Sequence, residues 1–197
     1  MRHSCWKQQY FDESFLKPDH GVFIDAGALD LNNSLDYIRW NCYDFEQIYA
    51  FEPDPSNYHV CGEVLKKLDR IMGSKIHLFN AGCYEKDGEL LFDEKHNGCS
   101  NVSETGDAKV AVRSIDSVLD GQKATYIKMD IEGSELYALR GAKQTIVKWH
   151  PKLAICIYHK IDDIYTSANF ILSLVPDYRI YIRHYSTCVA ETVMYFV

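Results

Sequence analysis

Short apolar runs alternate with stretches of helical spacing along most of this 197-residue chain. Five runs predict buried strands, at residues 21–27, 47–53, 75–82, 124–130 and 152–159. The amphipathic stretches between and after them predict helices that begin near Ser34, Ser56, Ser134 and Asp162. Alternation of this kind is typical of a doubly wound α/β fold with a mostly parallel sheet.

The end of the chain predicts a different connection. Residues 178–185 and 191–197 form two further strand patterns separated by only five residues, 186–190. Because so short a link cannot hold a crossover helix, the pair is predicted to be antiparallel, which completes a seven-stranded sheet. Residues 88–92 predict a local strand, and the polar segment 93–109 predicts a long surface loop that could cover a cleft.

Composition narrows the classes of function. The net charge is −7 and the basic residues are scattered, which disfavours nucleic acid and anionic membranes as partners. The seven cysteines are odd in number and form no CxxC pair, so they predict core filler in a reducing compartment and no zinc site. With no secretory signal and no transmembrane run, we expect a cytoplasmic protein with one domain over residues 1–197. The 14 tyrosines allow an oligomer.

Polar residues follow each of the five predicted parallel strands. They are Asp25 with Gly27, then Glu52, Asn80, Asp130 with Glu132, and His159. Ligands of open parallel sheets bind beyond the carboxyl ends of the strands. Five strands that each end in such a group predict one shared site.

The first two strand ends suggest a nucleoside site. Gly27 would let the backbone approach a ligand, and Asp25 would orient loop amides or bind an amino group, although FIDAG could also be a simple capped turn. Glu52 could accept both hydroxyls of a ribose, the plainer alternative being a surface glutamate before a turn. A nicotinamide oxidoreductase is disfavoured because no GxGxxG fingerprint occurs and the sheet ends in a hairpin.

The later strand ends offer acid–base chemistry. IKMDIEGSE, residues 127–135, places Asp130 and Glu132 between a buried strand and a helix start, where a desolvated carboxylate can act as a base. Glu135 is explained by the helix macrodipole alone. His159 could be a histidine bonded to backbone, but beside Asp130 it is favoured as the base. His184 is a lesser candidate, and His96 is expected to be solvated.

These stretches, together with QYFDE, IYAFEPDPSN, NAGCYEKDG and PKLAICIYHK, resemble the FkbM-type methyltransferase family over nearly the whole chain. The resemblance implies a Rossmann-like fold and S-adenosylmethionine-dependent methylation of a hydroxyl on a sugar, glycan or natural product. It places His159, Asp130 and Glu132, the predicted catalytic residues, near the transferred methyl group. From the residues themselves we expect no metal, with magnesium on the two carboxylates as a less favoured route. The resemblance implies a cofactor site formed by Asp25, Ala26, Gly27, Glu52, Pro53, Asn80, Ala81 and Asp130.

The chain departs from the family pattern at one position. Leu31 stands where the family usually has a second glycine, and a leucine there would narrow the cofactor pocket. This favours one alternative, a binding module that takes S-adenosylmethionine or another small ligand and has lost catalysis. Some relatives also have a long N-terminal extension, so this chain could be one domain of a longer protein.

Overall fold

The computed structural model describes residues 9–92 and 108–197. Its strands are β1 (Val22–Ala26), β2 (Gln47–Phe51), β3 (Ile76–Phe79), β4 (Gly82–Cys83), β5 (Gly88–Phe92), β6 (Ala108–Arg113), β7 (Tyr126–Met129), β8 (Lys152–Cys156), β9 (Ile180–His184) and β10 (Thr192–Phe196). Its helices are α1 (Asn32–Trp40), α2 (Pro55–Leu65), α3 (Arg70–Gly73), α4 (Ile115–Leu119), α5 (Glu135–Arg140), α6 (Lys143–Trp149) and α7 (Asp163–Leu174).

Seven strands form the main sheet in the order β3-β2-β1-β7-β8-β10-β9. The first five pair in parallel, and β10 pairs antiparallel with both β8 and β9. The predicted α/β fold, with seven strands and a C-terminal antiparallel hairpin, is confirmed.

Apolar side chains cover both faces of this sheet because its central strands alternate between two layers. In β1, Val22, Ile24 and Ala26 belong to one cluster, which also contains residues of α4, α5, α6 and α7. Phe23 belongs to the opposite cluster, with residues of α1, α2 and the segment before β1. Helices on both faces leave the strand ends as the place where polar groups can gather.

Two local features differ from the sequence prediction. The strand predicted at 88–92 is β5, but it belongs to a separate small sheet of order β4-β6-β5. The helix predicted from Ser134 is divided into α5 and α6 at Gly141, where an added Cβ would lie 2.0 Å from the carbonyl oxygen of Tyr84. The turn between α5 and α6 therefore packs directly against the backbone that follows β4 of the small sheet.

Predictions for the long loop and for the cysteines are confirmed only in part. Most of the predicted loop 93–109 lies outside the described residues, and its last two residues begin β6. Among the cysteines, Cys61, Cys83 and Cys156 are buried and free as predicted, whereas Cys42 and Cys188 are exposed and are not core filler. No helix among the described residues has the length and apolar character to cross a bilayer.

Candidate active site

Four neighbouring parallel strands bring predicted site residues to one edge of the sheet. Asp25 lies near the end of β1, Glu52 follows β2, Asp130 follows β7, and His159 follows β8. These strands are consecutive in the order β2-β1-β7-β8. The polar groups separated by up to 134 positions in sequence therefore share one edge.

Gly27 allows the loops after β1 and β7 to touch. Its φ is 83°, a left-handed conformation that favours glycine, and an added Cβ would lie 2.0 Å from the carbonyl oxygen of Asp130. Its N–H donates to the carbonyl of Phe51 at 3.1 Å. The close approach observed at Gly27 is thus to the backbone of Asp130.

Asp25 lies beneath this loop with no exposed surface. One carboxylate oxygen lies 3.1 Å from Nζ of Lys128, and the other accepts from the hydroxyl of Ser34 at 2.7 Å. Lys128 also donates to the carbonyl of Gly27 at 2.6 Å. These contacts are those expected of the loop-organising role, one of the two predicted for Asp25. Ala26 is equally buried.

Glu52 holds the same loop from its other side. Its carboxylate accepts from the backbone N–H of Leu29 at 2.7 Å and of Asp54 at 2.9 Å. Burial raises the pKa of Glu52 and outweighs these hydrogen bonds, which lower it. Each oxygen holds one donor and retains acceptor capacity for a second.

Asn80 connects the end of β3 to the turn after β2. Its side-chain amide donates to the carbonyls of Glu52 at 3.0 Å and Pro53 at 3.2 Å. The neighbouring Ala81 is buried. These contacts place Asn80, Ala81 and Pro53 at the Glu52 end of the site.

Leu31 is part of the core and not of a pocket wall. It adopts a left-handed φ of 68° and has no exposed surface, and it belongs to the apolar cluster that includes Tyr37 and Ile38 of α1. A side chain that narrowed an open pocket would expose surface to it. The predicted obstruction by Leu31 does not fit this burial.

Asp130 is fixed by two phenols. Tyr10 donates to one carboxylate oxygen at 2.9 Å and Tyr158 donates to the other at 3.0 Å. Burial would raise the pKa of Asp130, but the charge of Lys128 and these hydrogen bonds together lower it. Asp130 is therefore an ionised carboxylate with a defined orientation, and 24% of its side chain is exposed.

His159 lies among three carboxylates. Its Nε2 lies 3.5 Å from oxygens of both Asp130 and Glu132, and its Nδ1 lies 3.0 Å from Glu135. Burial would lower the pKa of His159, but Glu135, followed by Asp130 and Glu132, raises it. The three predicted catalytic residues thus lie together, with Glu135 as a fourth member.

Glu132 is the most exposed member of this group. Its side chain is 40% exposed, and its φ of 54° is unusual for a residue with a Cβ. Gly133 follows with a φ of 87°. Two consecutive left-handed residues turn the chain sharply between Asp130 and α5, which brings Glu132 in the turn and Glu135 at the start of α5 to His159.

Comparison with known proteins agrees with this architecture. The model of the methyltransferase FkbM domain matches residues 25–185. This chain belongs to the FkbM methyltransferase family. A methyltransferase FkbM from Methylobacillus flagellatus KT is 32% identical, with a TM-score of 0.85 over 98% of this chain and 48% of that one. The present FkbM domain thus spans about half the length of that relative.

More distant structures share the fold. A Streptococcus mutans protein in complex with SAH has a TM-score of 0.58 at 11% identity, covering 100% of this chain and 98% of that one. An rRNA methylase from Streptococcus thermophilus has a TM-score of 0.60 at 12% identity, covering 100% and 96%. Among curated proteins, none matches this chain.

Sequence reasoning missed four residues of this candidate site. Tyr10, Lys128 and Tyr158 received no role, and Glu135 was attributed to the helix macrodipole alone, although it is fully buried against His159. Lys128 gave a usable signal, because a lysine inside a buried strand needs an acidic partner. Tyr10 gave none, since its contact with Asp130 joins positions 120 residues apart.

The remaining predicted side chains lie elsewhere. His184 is exposed on the edge strand β9, where Nδ1 lies 2.9 Å from the hydroxyl oxygen of Thr192, and His96 lies outside the described residues. One group among the described residues could hold a metal ion, since donor atoms of Glu135, His159 and Asp163 lie within 4.8 Å of one another. This set differs from the less favoured Asp130–Glu132 pair considered from sequence.

Proposed function

We propose that this FkbM protein is an S-adenosylmethionine-dependent methyltransferase that acts on a hydroxyl of a sugar, glycan or natural product. The observation that supports it most is His159, whose Nε2 lies 3.5 Å from both Asp130 and Glu132 at the carboxyl ends of adjacent strands. An imidazole and partly exposed carboxylates at such an edge suit removal of a hydroxyl proton. Family membership and the SAH complex of a distant fold relative support the choice of cofactor.

The side chains at this edge fit S-adenosylmethionine. Asp130 and Glu132 are the partly exposed carboxylates, and negative charge complements a sulfonium. Glu52 has acceptor capacity for the two hydroxyls of a ribose, beyond the backbone donors it already holds. Pro53, Asn80 and Ala81 would border the same end, with Gly27 in the adjoining loop.

The chain's own residues would bind the cofactor, orient the acceptor and remove the proton of its hydroxyl. S-adenosylmethionine supplies an activated methyl group when bound. His159 would accept the acceptor's proton at Nε2, and Asp130, held by Tyr10 and Tyr158, would orient the acceptor or the imidazole. A positioned base contributes roughly 100- to 10,000-fold to rate. Because the carboxylates raise the pKa of His159, we expect the rate to increase with pH through that raised pKa.

Labelled methyl transfer tests the proposal. The full chain is incubated with S-adenosylmethionine and a panel of saccharides and hydroxylated natural products, and mass spectrometry detects addition of one methyl group. We expect His159→Ala to abolish transfer. If His159→Ala kept full turnover while Asp130→Asn abolished it, Asp130 would be the base.

Calorimetric titration with S-adenosylmethionine, combined with the transfer assay, distinguishes an active methyltransferase from a binding module that has lost catalysis. Saturable heat with S-adenosylmethionine but no transfer to any acceptor would favour a module without catalysis. The burial of Leu31 in the core gives no support for that alternative.

We further propose that residues 1–197 form one methyltransferase domain in the cytoplasm. The five described cysteines are all free, which suits a reducing compartment.

A further inference from the structure

We propose that Glu135 is a positioning residue that fixes the imidazole of His159, so that Nε2 faces the carboxylates of Asp130 and Glu132. This inference rests on the proposed function and extends it to a residue that would touch neither cofactor nor acceptor. One ring nitrogen lies against a buried carboxylate, and the other lies against two partly exposed carboxylates.

Glu135 contacts His159 at ion-pair distance, although neither ring nitrogen has a hydrogen-bond partner of good geometry among the described residues. Its Oε1 lies 3.0 Å from Nδ1 of His159 and also accepts the backbone N–H of Ile131 at 3.0 Å. Ile131 directly follows Asp130, so one carboxylate oxygen connects the imidazole to the loop that holds Asp130. Rotation of the imidazole ring would break a contact on each side.

The burial of Glu135 shows that its role is not limited to interaction with the dipole of α5. Glu135 has no exposed surface although it is the first residue of α5, where a carboxylate could interact with the helix dipole from solvent. Burying a carboxylate is costly unless an opposite charge or hydrogen bonds compensate it. The side chain of His159, only 8% exposed, is the compensating group in contact with it. The other oxygen, Oε2, has no hydrogen-bond partner among the described residues.

The charges around His159 come from three elements. Asp130 and Glu132 approach from the loop after β7, Glu135 from α5, and Asp163 from the start of α7. Asp163 is committed to the backbone N–H of Lys160 at 2.7 Å, and the ammonium of Lys160 donates to the carbonyl of Gly133. Glu135 is therefore the carboxylate that faces Nδ1, whereas Asp130 and Glu132 face Nε2.

A carboxylate on Nδ1 has a defined chemical effect. It holds the Nδ1–H tautomer, which leaves Nε2 to take a proton, and it stabilises the imidazolium that results. Glu135→Gln keeps the shape and an acceptor for Ile131 while removing the charge. We expect this variant to lower kcat by about 10- to 100-fold, the range typical when the carboxylate or carbonyl partner that orients a metal-bound histidine is removed.

Two readouts separate positioning from folding. Histidine-selective NMR should show the pKa of His159 lower in Glu135→Gln than in wild type, and the ascending limb of the pH–kcat profile should move by the same amount. The KM for S-adenosylmethionine and the unfolding midpoint should change little by comparison. Glu63→Gln, an exposed pair with Lys66 on α2, is the matched control and should alter none of these quantities.

Different results would contradict the positioning role of Glu135 and the proposed methyl transfer. Unchanged kcat and an unchanged His159 titration in Glu135→Gln would overturn the inference while leaving methyl transfer standing. Absence of transfer by the wild type would overturn the proposed function, and the NMR titration would still decide whether Glu135 controls His159. Stoichiometric divalent metal in the wild type, lost in Glu135→Gln, with activity abolished by chelator, would make Glu135 a ligand and overturn its positioning role.

Discussion

Removing the ammonium of Lys128 should destabilise the loop that supports the site. Lys128 is 1% exposed, its Nζ lies 3.1 Å from Asp25, and it donates to the carbonyl of Gly27 at 2.6 Å. Lys128→Met keeps most of the volume but leaves the Asp25 carboxylate buried without its cation. Breaking a buried ion pair in this way costs about 3–5 kcal/mol.

This loss is large for a chain of this size. Total stabilities are about 5–15 kcal/mol, and 1 kcal/mol shifts the melting temperature of such a domain by about 2–4 °C. We therefore expect Lys128→Met to melt roughly 6–20 °C below wild type. Asp25→Asn added to Lys128→Met removes the unpaired charge and retains an acceptor for Ser34, so the double variant should recover about 1–3 kcal/mol.

Denaturant unfolding of the four proteins in this cycle measures the coupling directly. Lys66→Met, which removes an exposed pair with Glu63, is the control and should remain close to wild type because solvent screens that pair. A Lys128→Met protein as stable as the control, or a double variant no more stable than Lys128→Met, would refute the argument that this pair holds the loop.

Two further predictions concern the same loops. Gly27→Ala should destabilise by about 2–5 kcal/mol, since it combines a left-handed φ with overlap onto the carbonyl of Asp130, whereas Gly62→Ala, with open space in α2, should be neutral or stabilising in the same unfolding assay. Because the pKa of His159 is raised by folding, its contribution to stability is complete below the ordinary value of 6.5 and is lost as pH rises through the folded value. The free energy of unfolding should therefore decline above about pH 6.5 in wild type and less in His159→Asn; equal slopes would contradict the assignment.

The strands and the class of the sheet could be predicted from sequence because both follow from local patterns. Apolar runs fixed the parallel strands, and the five-residue link before β10 required an antiparallel hairpin. The small sheet was missed because β6 pairs with β5 across the segment 93–107, and no local pattern specifies that partner.

For the site, the sequence predicted which residues lie at the same edge of the sheet. It did not predict how deeply each side chain is buried or which groups it contacts. Strand ends placed Asp130 and His159 on adjacent strands, which topology rules convert into proximity. The depth of a side chain follows from tertiary packing, so the burial of Asp25 beneath the loop and of Glu135 beside His159 had no signal in spacing. Leu31 shows the same limit, since only its packing into the core separates a buried leucine from a blocked pocket.

The charge balance at the strand ends favours a cationic cofactor over a phosphate-bearing one. Lys128 is buried and paired with Asp25, and Lys160 donates to the carbonyl of Gly133. A pyrophosphate would meet the carboxylates of Asp130 and Glu132 at this edge, and like charges in a partly desolvated cleft repel. A sulfonium adds the opposite charge to the same groups, and its arrival would also favour loss of the proton from His159. Under the proposed mechanism, the arrangement that attracts a cation would therefore also release His159 to act as the base for the acceptor hydroxyl.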